Sequence, residues 1–214
     1  MSLLPKTLRE ALSLVKKAEM AKADFIEVRL DHLKNRDDLS DLASIGCKPK
    51  IATDKAVRSE IWKHQMLLSA AKNGFEYVDI ELSAPAIKNT IEKLKEYNAK
   101  PIVSFHKFNG SLDVSEMNSI LEEEISLGAE ICKIVTTAKQ IKDNLTALRF
   151  ISEASNKASL ICFCMGELGK ISRLLSPLFG GFLTFAALKR RSETASGQMP
   201  IQDMKKLYRL MGQE

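Results

Sequence analysis

The sequence predicts an α/β protein, a (β/α)8 TIM barrel in which residues 1–214 form a single domain. Three observations carry that expectation. Short β-branched runs alternate with amphipathic stretches almost to the end of the chain. The count comes to eight strands and eight helices joined by connections of a few residues, a pattern that implies a parallel sheet. The length of 214 residues is enough for one domain with a substantial core. An open doubly wound sheet, the other way to arrange such units, usually has a glycine-rich turn after an early strand, and none is present.

In chain order, Met1 to Leu4 reads as the end of a shortened first strand, beginning inside it. Pro5-Lys6-Thr7 then turns into a helix with Leu8, Ala11, Leu12 and Val15 on one face. Phe25–Leu30 is the next strand, Leu39–Ile45 a short helix and Lys50–Thr53 a strand. Val57, Ile61, Leu68 and Ala71 stripe a longer helix that Asn73-Gly74 closes. Tyr77–Leu82 is a strand, after which Ser83 is expected to cap a helix carrying Ile87, Ile91 and Leu94. Pro101–Phe105 is followed by a helix marked by Val114, Met117 and Leu121. Ile131–Val135 is a strand bounded by Gly128 and by Thr136-Thr137, and the next helix carries Ile141, Leu145, Leu148 and Ile151. Ser159–Cys164, a short helix over Leu168–Leu175 and Phe182–Ala186 as the last strand complete the alternation. Ile201, Met204, Tyr208 and Met211 stripe a closing helix.

Composition narrows the class. Hydrophobic residues at 45% and charged ones at 28% are ordinary for a globular protein, and no run approaches the ~18 apolar residues of a membrane span. The N-terminus shows no signal-peptide apolar core, so a reduced cytoplasmic protein is expected. The net charge of +5 comes from lysines spread along every helix, with only 6% aromatics, so a nucleic-acid face is not indicated. Of the four cysteines, Cys132, Cys162 and Cys164 lie in apolar strand-like runs. Cys162-x-Cys164 lacks a second pair or a suitably spaced histidine, which argues against zinc or any other metal.

The chemistry gathers at strand ends, where a barrel enzyme builds its site. Lys133 stands at the centre of an apolar strand and shares a face with Ile131 and Val135. Lysines are rarely buried without a reason; desolvation disfavours the ammonium and favours a nucleophilic amine that can form a Schiff base. Glu27 with Arg29, and Asp79 with Glu81, project from the inner face of two other strands. His106 ends the fifth strand and Met165-Gly166 the seventh, with Ser172-Arg173 just after it. Acid, base, lysine and arginine at successive strand ends make an active site.

Those residues also carry a family resemblance. Asp24-Phe25-Ile26-Glu27-Val28-Arg29-Leu30-Asp31, Asp79-Ile80-Glu81-Leu82, Ser104-Phe105-His106 and Cys132-Lys133-Ile134 resemble ordered motifs of type I 3-dehydroquinate dehydratases. So do Met165-Gly166-x-x-Gly169-x-x-Ser172-Arg173 and Ala195-Ser196-Gly197-Gln198. The resemblance implies a cofactor-free dehydration of 3-dehydroquinate to 3-dehydroshikimate, the third step of the shikimate pathway, by a barrel that is often a homodimer. It implies Lys133 as the imine lysine, His106 as proton shuttle, Glu81 as the carboxylate orienting His106, and Arg173 as the clamp on the substrate carboxylate. Glu27, Arg29, Thr194 and Gln198 would bind substrate, Ser2 sits at the family's strand-one serine, and Met165 would pack near the imine.

Two departures stand out. The family's strand-three Thr-x-Arg is here Thr53-Asp54-Lys55, so Lys55 is expected to stand in for a substrate-binding arginine. Ser196 occupies the loop position where the family usually has proline, within a polar segment, Lys189 to Gln198, expected to act as a lid. Two other readings remain open at this stage. A class I aldolase also uses a barrel lysine, but one acting on sugar phosphates needs a phosphate cradle after its last strands, whereas Gly180-Gly181 precedes the eighth. A binding protein with a decayed site is the other.

Overall fold

The computed structural model describes residues 1–34, 38–55 and 60–213. Its centre is a curled parallel sheet of seven strands in sequence order. These are β1 (Ser2–Leu3), β2 (Ile26–Arg29), β3 (Lys50–Thr53), β4 (Tyr77–Glu81), β5 (Lys100–His106), β6 (Ile131–Thr137) and β7 (Leu160–Met165). Helices α1 (Leu8–Met20), α2 (Ser40–Ser44), α3 (Glu60–Lys72), α4 (Ile87–Glu96), α5 (Val114–Ser126), α6 (Asp143–Ala154), α7 (Lys170–Leu175) and α8 (Ile201–Leu210) cover the outside.

Local chemistry accounts for several boundaries. The Thr7 hydroxyl accepts from Glu10 N at 3.2 Å and starts α1, whose Ala11, Val15 and Ala18 are buried. Asp113 and Glu116 form a reciprocal capping box at the start of α5. Gly74, at φ +100°, terminates α3 as expected. Ser83 is not a cap: α4 begins after Ala86, which is left-handed and makes no side-chain capping bond, because a turn intervenes. In α6 the buried face is Ala147, Leu148, Phe150, Ile151 and Ala154, whereas Ile141 and Leu145, expected in the stripe, are exposed. Met211 lies past the end of α8 and is also exposed. Val57 and the side chain of Ile61 lie outside the described residues.

Strand alternation divides the core. Ile131 and Val135 point inward with Ile51, Ile102, Ile161, Phe163 and Phe185. Cys132 and Ile134 point outward against Leu121, Ala147 and Phe150. Cys132, Cys162 and Cys164 are free and buried in that outer layer, where they act as small hydrophobes.

The expected eighth strand is the main correction. Phe182–Ala186 is not a strand; only Ala187 bridges, to Ser2 and to Pro200. The segment meets β7 only at its first residue, Leu160, and β1 is two residues long, so neither edge carries a ladder along it. Single bonds anchor the segment instead: Phe182 N to Leu160 O at 2.8 Å, Ser2 N to Ala186 O at 2.9 Å, and the Thr184 hydroxyl to Arg173 O at 2.7 Å. Although short, β1 is buried and held, with Glu27 N donating to Met1 O at 2.8 Å.

Candidate active site

Parallel register sets the site. Glu81 pairs with Ser104 and Ser104 with Lys133, so three polar side chains from β4, β5 and β6 stand in one row. Asp79 lies two residues before Glu81 on the same face, and His106 two residues after Ser104.

The lysine is 4% exposed, and its Nζ donates to Asp79 Oδ2 at 2.7 Å. The ammonium also lies 4.6 Å from the centroid of the Phe185 ring, whose negative face favours a cation. Asp79 is buried as well. Burial alone would raise its pKa, but Lys133, then Lys55 and His106, hold the carboxyl well below the usual carboxylate range.

Lys55 Nζ donates to Asp79 Oδ1 at 2.7 Å, to Glu81 Oε1, and to Ser104 Oγ at 3.2 Å. An ammonium has three protons, and all three are taken. His106 Nδ1 lies 2.9 Å from Glu81 Oε1 and 3.2 Å from Oε2, which leaves Nε2 for a substrate. Burial pushes Glu81 up, but the His106 hydrogen bond and the Lys55 charge outweigh it and bring the pKa to about 2. His106 is held below the ordinary histidine value, first by burial and then, against the pull of Glu81, by the charges of Lys55 and Lys133. It is therefore a neutral base at pH 7.

On the opposite wall, Arg173 is 1% exposed, with its guanidinium carbon 4.2 Å above the Phe163 ring centroid. One Nη donates to the Ser196 carbonyl at 3.2 Å, and Nε has no partner among the described residues. Burial lowers its pKa to about 10, partly offset by Glu27. Arg29 is gripped bidentately by Asp31, at 2.8 and 2.7 Å, and reaches Thr194 O at 3.5 Å. Glu27 accepts from the Ser2 hydroxyl and from Thr53 Oγ1 at 2.9 Å. Thr194 Oγ1 donates to Ser2 Oγ at 2.7 Å, and Gln198 Oε1 accepts from Thr194 N at 2.8 Å. Met165 ends β7 against the inner apolar cluster.

The carbonyls of Thr194 and Ser196 thus tie the segment 189–198 to Arg29 and Arg173. Gly166 N also donates to Ser196 O, at 3.3 Å. Gly197 has φ +80°, and a Cβ there would come within 2.3 Å of the Gly166 carbonyl, so only glycine permits this approach.

Two acids were given no role from the sequence. Asp79 had a signal, since it repeats Glu81 at period two in an apolar strand. Glu124 had none, because it reads as one of three consecutive acids on a helix. In the fold it is fully buried, and its Oε2 accepts from the backbone N–H of Lys133 at 3.0 Å, while Oε1 has no partner among the described residues. Burial, opposed by the Lys133 N–H and the Cys132 thiol, raises its pKa to about 9, so it is a neutral acid at pH 7. Its folded pKa is raised, so the stability it contributes is fully present below the unfolded value of about 4.3 and is lost as pH rises towards 9. Glu124→Gln stays neutral at every pH. Its stability advantage over wild type should be larger at pH 8 than at pH 6 by about 2.7 kcal/mol. Urea unfolding at the two pH values checks this; an equal effect at both would mean that Glu124 is ionised in the native state.

A parallel α/β sheet holding a buried lysine beside a histidine–carboxylate pair defines a class, that of enzymes whose lysine attacks a substrate carbonyl. The profile of the type I 3-dehydroquinase family matches residues 1–214. The chain is 34% identical over 214 residues to the 3-dehydroquinate dehydratase of Dehalococcoides mccartyi, a match covering 97% of this chain and 93% of that one. It is 31% identical to the Coxiella burnetii 3-dehydroquinate dehydratase, covering 95% and 88%. The structure of the type I 3-dehydroquinate dehydratase of Clostridium difficile superposes with TM-score 0.87 at 25% identity, covering 98% of this chain and 90% of that one. The chain belongs to the type I 3-dehydroquinase family, the hydro-lyases that dehydrate 3-dehydroquinate through a Schiff base in the shikimate pathway.

Proposed function

We propose that residues 1–214 work as one catalytic (β/α)8 unit, with the segment 182–187 standing in the eighth position, and that Lys133 is the imine lysine. The observation that carries this reading is the buried Lys133–Asp79 ion pair beside the His106–Glu81 pair, with Lys133 and Glu81 in one register row.

The steps follow from the contacts. Lys133 releases a proton, and its amine attacks the substrate ketone; loss of water leaves an iminium, which replaces the ammonium as the cation facing Asp79. The iminium withdraws electrons and acidifies the adjacent C–H. His106 Nε2 takes that proton while Glu81 fixes the ring, and the C–H electrons move into an enamine. Collapse of the enamine expels the hydroxyl, which takes the proton from His106 and departs as water. Hydrolysis of the conjugated iminium frees 3-dehydroshikimate and restores Lys133. Metal and cofactor enter no step.

Arg173 is the carboxylate site. Its guanidinium offers donors held only by a neutral carbonyl, and a carboxylate is the stronger acceptor. Ser2, Glu27, Arg29, Thr194 and Gln198 form a hydroxyl-binding wall, and Met165 packs near the imine. The test is direct: dehydration is followed by enone absorbance, and borohydride with substrate should add the ligand mass to the Lys133 peptide. Labelling of another lysine would overturn the assignment.

We also read the chain as a cytoplasmic homodimer. No helix among the described residues is long and apolar enough to cross a membrane, and the buried free cysteines suit a reducing compartment. Support for the dimer comes from exposed Ile141 just before α6 and Leu145 in its first turn, beside exposed Leu168 and Ile171; Asn144 Nδ2 joins the two segments at Leu168 O, 2.8 Å. Leu145→Glu should raise the dissociation constant of the dimer at least tenfold in sedimentation, and an unchanged constant would move the interface elsewhere.

A further inference from the structure

Lys55 is the residue whose place in the fold differs from what its place in the sequence suggests. As the substitute for a substrate-binding arginine it should present a free donor to the pocket. Instead, its three protons are spent on Asp79, Glu81 and Ser104. Asp79 is shared, Oδ2 with Lys133 and Oδ1 with Lys55. Glu81 is shared too, between Lys55 and His106. A continuous chain of contacts therefore runs Lys133–Asp79–Lys55–Glu81–His106, with Lys55 at its centre.

We propose that Lys55 is a positioning residue that sets the protonation of both Lys133 and His106 through the two carboxylates it shares with them. This rests on the reading of Lys133 and His106 as imine lysine and proton shuttle.

The charge balance gives the direction. Asp79 carries one negative charge against two ammoniums, so each is held less tightly than it would be alone. Removing Lys55 gives the whole of Asp79 to Lys133, which tightens that ion pair and opposes release of the proton the amine must lose before it attacks. The same removal takes a positive charge away from His106, which then keeps its proton to higher pH. That direction agrees with the downward pull of Lys55 on the histidine in the intact site. Both changes move the acidic limb of activity upward. The other charged groups around the cluster are Glu27 and Arg29 on β2, Glu124 on α5 and Arg173 on α7. Glu27 is bonded by Ser2 and Thr53, Arg29 by Asp31, Glu124 by the Lys133 backbone N–H and Arg173 by Ser196. Lys55 alone among the described residues bonds both Asp79 and Glu81 through its side chain.

The experiment measures kcat/KM for 3-dehydroquinate, and the rate of borohydride trapping on Lys133, from pH 6 to pH 10. In Lys55→Met the acidic limb should rise by about one pH unit or more, with trapping at pH 7 down by about tenfold and recovering by pH 9–10. Lys55→Arg, which keeps the charge, should restore the limb to within a few tenths of a unit. Asp79→Asn tests the coupling with the opposite sign and covers the case in which Lys55→Met does not fold. Lys133 then loses its carboxylate while Lys55 keeps Glu81, and the limb should fall. An unmoved limb in Lys55→Met, with the loss confined to KM, would make Lys55 a substrate ligand and overturn the inference. So would an equal loss at every pH, or an unmoved limb in Asp79→Asn. A wild-type protein that neither turns over substrate nor traps it on Lys133 would instead overturn the functional reading itself, and this inference with it.

Discussion

Lys133→Ala should lower kcat by roughly 10⁴-fold or more and leave no borohydride-stable adduct. The size follows from what is lost. Without the amine there is no iminium, and the adjacent C–H must ionise from a plain ketone with no cation to receive the charge. His106 would remain, but it would act on a carbon that has not been acidified. The fold should survive the change, because Asp79 keeps Lys55 as an ion partner and Ser104 as a hydrogen-bond donor at 2.7 Å. Mass spectrometry after reduction separates this outcome from a misassigned lysine. An adduct that persists in Lys133→Ala, or a rate within tenfold of wild type, would require another nucleophile. Among the described residues Lys55 is the ammonium closest to that role, and Asp79 and Glu81 hold it in its protonated form.

His106→Ala should lose turnover by about 10²–10⁴-fold yet still trap ligand on Lys133. The two roles separate because imine formation needs an amine and a carbonyl, whereas the later proton transfers need a base placed over the adjacent carbon. Glu81 fixes the ring through Nδ1, so the imidazole presents Nε2 in one orientation. Because burial and the neighbouring cations lower its pKa, the wild-type base is neutral near pH 7, and activity should fall as pH drops below that lowered value and the ring gains a proton. The trapped adduct in His106→Ala should therefore be at the substrate oxidation and hydration level, heavier by one water than the product adduct. A near wild-type rate, or loss of trapping together with turnover, would refute the division of labour.

Much of this protein was legible in the residue order, for local reasons. Period-two alternation placed Ile131, Lys133 and Val135 on one face whatever the rest of the chain did, and the same rule set Glu27 with Arg29 and Asp79 with Glu81. Gly74 ended a helix because a left-handed residue was required there. Candidate site residues could be proposed because their motifs stood in a fixed order from Asp24 to Gln198.

Other features depended on contacts between residues far apart in sequence. Whether 182–186 became a strand turned on the edges it meets, β1 some 180 residues away and β7, and it makes a single backbone bond to each. Glu124 looked like one acid among three on a solvated helix, and only the packing of α5 on β6 buried it against the Lys133 backbone. Ile141 and Leu145 fitted a helical stripe, yet α6 turned its other side to the sheet. Lys55 read as an arginine's substitute facing substrate, but parallel register brought Asp79, Glu81 and Ser104 around it and took up every proton it has. Sequence patterns set which face a side chain takes, because backbone geometry is local. Which partner it meets there is decided by register and packing, because hydrogen bonding and desolvation act across space.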